Sequence, residues 1–225
     1  MKKDLLHIRF EAFTSTFKMP CINTGTMISS PAPSYSTVVG IISCCLGRLL
    51  EKDETQIAFS YSCLGAGEDL EKTQRLELND KGVLKKNPET GIALRQFHAS
   101  PVLDVYLDNT SLKRYFIRPV GVPTLGRSQD IAWITCVETI EAESVPSGMI
   151  RSTLIPYPCE MIGGRVVRFC DYFRNDDLGY VRTPGKMILY QIVPASSDGI
   201  FIERDNLYRI NENEVVYLHQ LESTE

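Results

Sequence analysis

The hydrophobic period changes twice within the first 63 residues, and this narrows the fold more than any other feature. Leu6, Ile8, Phe10 and Ala12 alternate, the pattern of a half-buried strand. Val38, Ile42, Cys45 or Leu46, and Leu49 then recur at helical spacing. Ser34 or Ser36 stands where a helix N-cap belongs, and Gly47 falls inside the run. Ile57, Phe59, Tyr61 and Cys63 alternate again. Strand, helix and strand over this distance make a βαβ crossover. The pattern predicts a sheet with strands near residues 5–12 and 57–63 and a helix near 36–50.

The remainder reads as mostly strand. Residues 65 to 100 are polar and charged, and "LELNDKGVL" carries a turn signal at Asp80-Lys81-Gly82, so an exposed hairpin arm is expected. "PVLDVYL", residues 101 to 107, resumes a core pattern with Leu103, Val105 and Leu107 on one face. A Pro/Gly-rich loop at 119–126 precedes a strand around Ile131 to Ile140, with Trp133, the only tryptophan, expected in the core. Further strands are expected at Val166 to Phe169, Met187 to Val193, Ile200 to Ile202 and Val215 to Leu218. No repeat or linker divides the 225 residues. The reading is one α+β domain over 1–225, with an arm inserted at 66–100 and an elaborated β-rich second half.

Composition removes several function classes. No apolar run approaches the roughly 18 residues of a membrane helix, and "LLHIRFEAFT" alternates with charges, unlike a signal peptide. The seven cysteines are odd in number and lack C-x-x-C spacing, which reads as reduced cytoplasmic thiols. With three histidines and no paired Cys/His spacing, no metal site is expected, and no cofactor fingerprint is complete. "GRSQD" lacks the last glycine of a nucleophile elbow, "PGKM" has Met187 where a P-loop needs Ser or Thr, and "GAG" lacks a third glycine. His98, beside Phe97 and close to Arg95, is the best general acid/base candidate, because imidazole titrates near neutral pH.

The stretch before the helix, "TFKMPCINTGTMISSPAPSYST", is long for a connection and rich in small polar residues. Such a loop lets a backbone approach phosphate closely, and a helix N-terminus then presents unpaired N–H groups at a positive dipole end. Thr24, Gly25, Thr26, Ser29, Ser30, Ser34, Ser36 and Thr37 are candidate contacts to phosphate or 2′-hydroxyl groups, Lys18 a candidate cation, and Phe17, Met19 and Tyr35 candidate base-stacking side chains. The same residues also fit an ordered loop with an ordinary N-cap. The formal net charge is −4, yet from Ser111 to Ser128 the charged residues are Lys113, Arg114, Arg118 and Arg127, with no acid. A patch of that sign suits phosphate.

The order of these pieces resembles the CRISPR-associated protein 5 family, RAMP-superfamily subunits of the type I surveillance complex often called Cascade. The first matching feature is Pro31, Pro33, Ser34, Tyr35, Ser36, Thr37, Gly40, Leu46 and Gly47; the second is Leu125, Gly126, Arg127, Ser128 and Asp130. The resemblance spans residues 5 to 135 and implies a ferredoxin-like, RNA-recognition-like domain. It implies a subunit that binds and caps the 5′ handle of the crRNA in antiviral defence, contacting the backbone and large subunits and, through the complex, target DNA. The opening loop becomes a phosphate and ribose cradle, joined by Arg114, Arg118, Gly126, Arg127 and Ser128. The arm becomes a thumb-like hairpin against the adjacent backbone subunit. One branch of the family is itself a metal-independent endoribonuclease that matures the crRNA. Its adjacent Lys-His pair is absent here, since His98 follows Phe97 and neither His7 nor His219 follows lysine. The resemblance therefore implies a non-catalytic subunit without cofactor, with the ribonuclease as the alternative.

Overall fold

A computed structural model describes residues 2–19, 25–74, 77–84, 90–163, 165–175, 181–193, 195 and 199–221. Along the first half run β1 (Lys2–Ala12), β2 (Thr14–Ser15), β3 (Thr26–Met27), α1 (Tyr35–Leu46), β4 (Ile57–Ser62), β5 (Gly65–Gln74), β6 (Thr90–Ala99), β7 (Val102–Leu107) and α2 (Lys113–Ile117). The second half holds β8 (Ala132–Ile150), β9 (Leu154–Pro156), β10 (Val166–Cys170), β11 (Phe173–Asn175), β12 (Arg182–Pro184), β13 (Met187–Ile192), β14 (Ile200–Asn211) and β15 (Glu214–Tyr217). The chain is mostly β-sheet.

Six strands form the central sheet in the order β15-β14-β8-β1-β7-β4. Each pairing in it is antiparallel, so β1 and β4, the two strands flanking α1, run parallel with β7 between them. Shifts of register in the β1–β8, β8–β14 and β14–β15 pairs bend the sheet. It curls until its ends meet. Ile57 at the start of β4 and His219 beyond β15 exchange both backbone hydrogen bonds, at 3.0 and 2.9 Å.

Alternation in β1 explains its two surroundings. Leu6, Ile8 and Phe10 face α1 and join Val38, Ile42, Cys45 and Leu46 in the main core; all but Leu46 are fully buried. Leu5 faces the other way and packs inside the curl with Ala58, Tyr106, Ala142, Val216 and Leu218. The small sheet β10-β13-β9 covers the far side of α1, adding Leu154, Val167, Phe169, Tyr190 and Ile192 to the same core. Tyr35 and Tyr172 pin this layer, donating to the carbonyls of Leu154 (3.1 Å) and Leu50 (2.9 Å). Beneath it Asp171, Tyr190 and His219 form a closed buried set. His219 Nε2 lies 2.6 Å from Asp171 and 3.1 Å from Tyr190, whose hydroxyl donates to the same carboxylate.

The arm is a hairpin of β5 and β6, paired from Gly65–Ala99 to Gln74–Thr90. Its turn is held by Asn79, whose side-chain oxygen accepts from the backbone N–H groups of Lys81 and Val83, both at 3.0 Å. Gly82 takes the left-handed conformation (φ +73°) that the turn requires. Leu70, Leu78, Val83, Leu84 and Ile92 stand exposed along it.

Three expectations need correction, and one short helix went unread. α1 ends at Leu46, and Gly47 is not a helix-interior glycine but its C-cap, with φ +71°. Trp133 is not core; it remains 39% exposed and packs edge-on against exposed Phe13. β8 runs ten residues past Ile140, to Ile150, because its far half gains a new partner, β14. The helix α2 has only five residues, too few for a helical period to show in sequence.

Candidate functional site

Two segments far apart in sequence meet at one cleft of about 700 Å³, lined by Thr16, Phe17, Lys18, Met27, Ser36, Thr37, Gly40, Ile41, Cys44, Thr124, Gly126, Arg127, Phe173 and Arg182. One wall is α1. Ser34 caps it, its hydroxyl accepting from the Thr37 N–H at 3.2 Å, and no acid occupies the first turn. Ser36, Gly40 and Cys44 follow at intervals of four, so the wall is a track of small residues. Gly40 is exposed, and a Cβ there would meet nothing within 4 Å.

The facing wall is the turn 124–128. Gly126 has φ +113°, and a Cβ on it would lie 2.0 Å from the Thr16 carbonyl oxygen, so only glycine fits. Asp130 is buried and organises the turn. Its carboxylate accepts from the Thr14 hydroxyl (2.6 Å) and the Arg127 N–H (3.3 Å), while its N–H donates to the Arg127 carbonyl (3.0 Å). Thr16 N–H donates to the Leu125 carbonyl at 3.2 Å. At the other end of the segment, Val120 and Gly121 donate to the Cys45 and Cys44 carbonyls at 3.0 and 3.1 Å, closing the C-terminus of α1.

Three cations border the cleft. Lys18 and Arg182 are exposed. Arg127 is ion-paired with Glu71 of the arm. The first strand of the arm and the second motif are thus joined by this ion pair.

The structure brings together Lys18, Ser36, Thr37, Gly126 and Arg127 of the expected residues, with Ser34 behind them as the cap. Phe17 borders the cleft but is 4% exposed, packed edge-on against Tyr61 at 5.1 Å and near His98 at 6.1 Å. Tyr35 is fully buried, with its ring beside Phe59, Tyr190 and His219. The base-stacking role expected for these two is corrected: protein already covers their faces. Met19 is half-buried against the core. Gly25 lies on the arm side, its carbonyl accepting from Leu94 N–H at 2.9 Å. Arg114 and Arg118 are exposed on and after α2 and do not line the cleft; Arg114 lies 4.6 Å from the Tyr115 ring. Ser128 is exposed on the turn outside the lining. Thr24 lies outside the described residues.

Phe173 and Arg182 are the residues that sequence reasoning missed. Phe173, 38% exposed, is an aromatic side chain open to the cleft. The adjacency of aromatic and basic residues in "YFRN" was the available signal. His98 is buried, its Nδ1 2.7 Å from the Tyr61 hydroxyl, which also meets Ser15 Oγ at 2.7 Å. Burial lowers its pKa. It does not line the cleft.

No family model matches the sequence, and no curated protein matches it. Solved structures do. One chain of a CRISPR RNA-guided surveillance complex superposes with a TM-score of 0.54 and 14% identity, over 85% of this chain and 90% of the other. A CRISPR protein from Archaeoglobus fulgidus gives 0.51 and 10%, over 96% and 99%. A chain of the type III-B Cmr-beta complex bound to cognate target RNA and AMPPnP gives 0.51 and 11%, over 89% and 86%. The likeness is one of fold, shared with CRISPR proteins along nearly the whole length of each.

Proposed function

We propose that this chain is a non-catalytic subunit of a CRISPR effector complex and that its cleft holds the backbone of the crRNA 5′ handle. The observation that carries this reading is the convergence of the two motif segments, residues 34–47 and 125–130, on opposite walls of one cleft bordered by Lys18, Arg127 and Arg182. A helix N-terminus, a track of small residues and three cations suit an anionic backbone that must come close. Phe173 is the stacking surface for a base beside it.

The fold supports the same reading. The connectivity β1-α1-β4-β7-α2-β8, with β8-β1-β7-β4 side by side, supports reading this part as the split βαβ arrangement of a ferredoxin-like domain. Exposed apolar residues along the arm suit contact with a neighbouring backbone subunit, and the large subunit and target DNA are reached through the assembly. No helix among the described residues is long and apolar enough to cross a membrane. For the non-catalytic assignment the support is positional. His7, His98 and His219 are each held by protein partners, and none borders the cleft.

The test is affinity of the reconstituted complex for handle-bearing crRNA across a salt series. Lys18→Ala and Arg182→Ala are each expected to weaken binding for all sequences and to flatten the salt dependence by about one unit of slope. If both variants keep the wild-type affinity and slope, the cleft is not the RNA site.

A further inference from the structure

On the sheet face away from α1, three chemically apt side chains converge. His7 lies directly opposite Glu138 across the β1–β8 pair, and Cys136 is opposite Arg9, the next residue on that face. One ligand atom from each of His7, Cys136 and Glu138 lies within 4.8 Å of the other two. We propose that His7, Cys136 and Glu138 form a zinc-type divalent transition-metal site, with a fourth position open to water.

The hydrogen bonding around His7 carries the argument. Its Nε2 is 2.7 Å from Asp104 Oδ1 and its Nδ1 is 3.1 Å from Glu138 Oε1. A neutral imidazole has one N–H. If Nε2 donates to Asp104, Nδ1 turns a lone pair toward a carboxylate, and the contact then needs a cation between the two. A second proton supplies one; so does a metal. The surroundings fix the imidazole in a ligand's orientation. Asp104 is fixed by Arg9 through two hydrogen bonds, 2.8 and 3.2 Å. The imidazole is stacked on Tyr106 at 4.8 Å with a 12° tilt. A carboxylate that orients a histidine from behind is the usual outer support of a metal ligand.

The donor set also discriminates. Thiolate, imidazole and carboxylate together favour zinc or its neighbours over magnesium and calcium, which take oxygen ligands. Bonds of about 2.0–2.3 Å place tetrahedral ligand atoms about 3.3–3.6 Å apart. Glu138 is exposed and Cys136 half-buried, so both have the freedom to close the remaining gap. Metal binding releases the thiol proton of Cys136 as the sulfur becomes a thiolate ligand. The site lies on the opposite face of the sheet from α1 and shares no residue with the cleft.

Reduced full-length protein, stripped with chelator, would be titrated with zinc and separately with cobalt(II). One equivalent of zinc is expected, with affinity falling at least tenfold in Cys136→Ser and in Glu138→Gln. Cobalt is expected to give a sulfur-to-metal charge-transfer band that Cys136→Ser abolishes. Asp104→Asn, a positioning change, is expected to weaken zinc by about 10- to 100-fold while keeping the cobalt band. Circular dichroism checks that each variant is folded. A wild-type protein that takes up no zinc, or a cobalt band that persists in Cys136→Ser, overturns the proposal. The second result would assign the metal to another cysteine.

Discussion

Alternate residues of β1 serve two faces built on different physics. Leu6, Ile8 and Phe10 go into a dry core shared with α1, where they are fully buried. His7 and Arg9, one residue out of step, enter a charged lattice with Asp104 and Glu138. The first face is held by apolar area and close packing, which hardly notice pH or salt. The second, beyond the apolar cluster around Leu5, is held by oriented charge, whose worth depends on protonation and ionic strength. A single strand can therefore lose much stability on one side and little on the other for changes of similar size.

The comparison breaks first, if it breaks, in the core. Ile8→Ala is expected to cost about 2–5 kcal/mol in denaturant unfolding, against about 1 kcal/mol or less for Arg9→Ala on the half-exposed charged face. Equal losses would mean that the two faces are not distinct in kind. Gly126→Ala comes next, at about 2–4 kcal/mol, from the clash with the Thr16 carbonyl and the strained φ. A near-neutral thermal shift would show that the turn relaxes and that the cleft is softer than described.

A third test sharpens the charged face. Asp108 accepts from Gln56 N–H (2.7 Å), the Thr55 hydroxyl (2.9 Å) and Lys3 Nζ (2.9 Å). Burial alone would raise its pKa, but these hydrogen bonds and the Lys3 charge outweigh it, and the net shift is downward. Its contribution is therefore complete above the unfolded carboxylate value, near pH 4, and is lost as pH falls through the lower folded value. Asp108→Asn is expected to cost about 1–2 kcal/mol near neutrality and to flatten the acid limb of the melting-temperature profile. An unchanged acid limb would place that limb's origin elsewhere.

The smallest effect separates folding from binding. Gly40→Ala meets open space in an exposed helix position, so it should stabilise by about 0.5–1 kcal/mol. In the same variant, affinity for handle RNA is expected to fall, because the added methyl group stands in the cleft. Stabilisation with unaltered affinity would mean that the glycine serves neither wall nor ligand.

Legibility followed the same division. The strand–helix–strand opening was readable because Leu6, Ile8 and Phe10 alternate with His7, Arg9 and Glu11, and Val38, Ile42 and Cys45 recur at helical spacing, although Leu5 and His7 are buried on the other face of the strand. The arm was readable from Asp80-Lys81-Gly82, although the side chain that holds the turn is Asn79. Trp133 was misplaced because its size suggests burial, whereas neighbouring Phe13 gives it a partner at the surface. Tyr35 was misread for the opposite reason. A tyrosine beside an N-cap looks available, and only the small sheet folding over α1 removes it from solvent. Phe173 and Arg182 sit on two three-residue strands paired with each other, too short to leave a pattern. The His7–Cys136–Glu138 grouping depends on the register of β1 against β8, which spacing alone does not give.

The segment carrying the second motif is tied down three times: to the C-terminal carbonyls of α1, to Thr16, and through Asp130 to Thr14. Few backbone torsions in that wall remain free to be frozen when something enters. The ordering cost of association then falls on the incoming chain rather than on the receptor. A flexible single strand would leave solution by adopting the one path that the walls already describe. Affinity should accordingly respond more to stiffening the ligand than to loosening the surface loops around it.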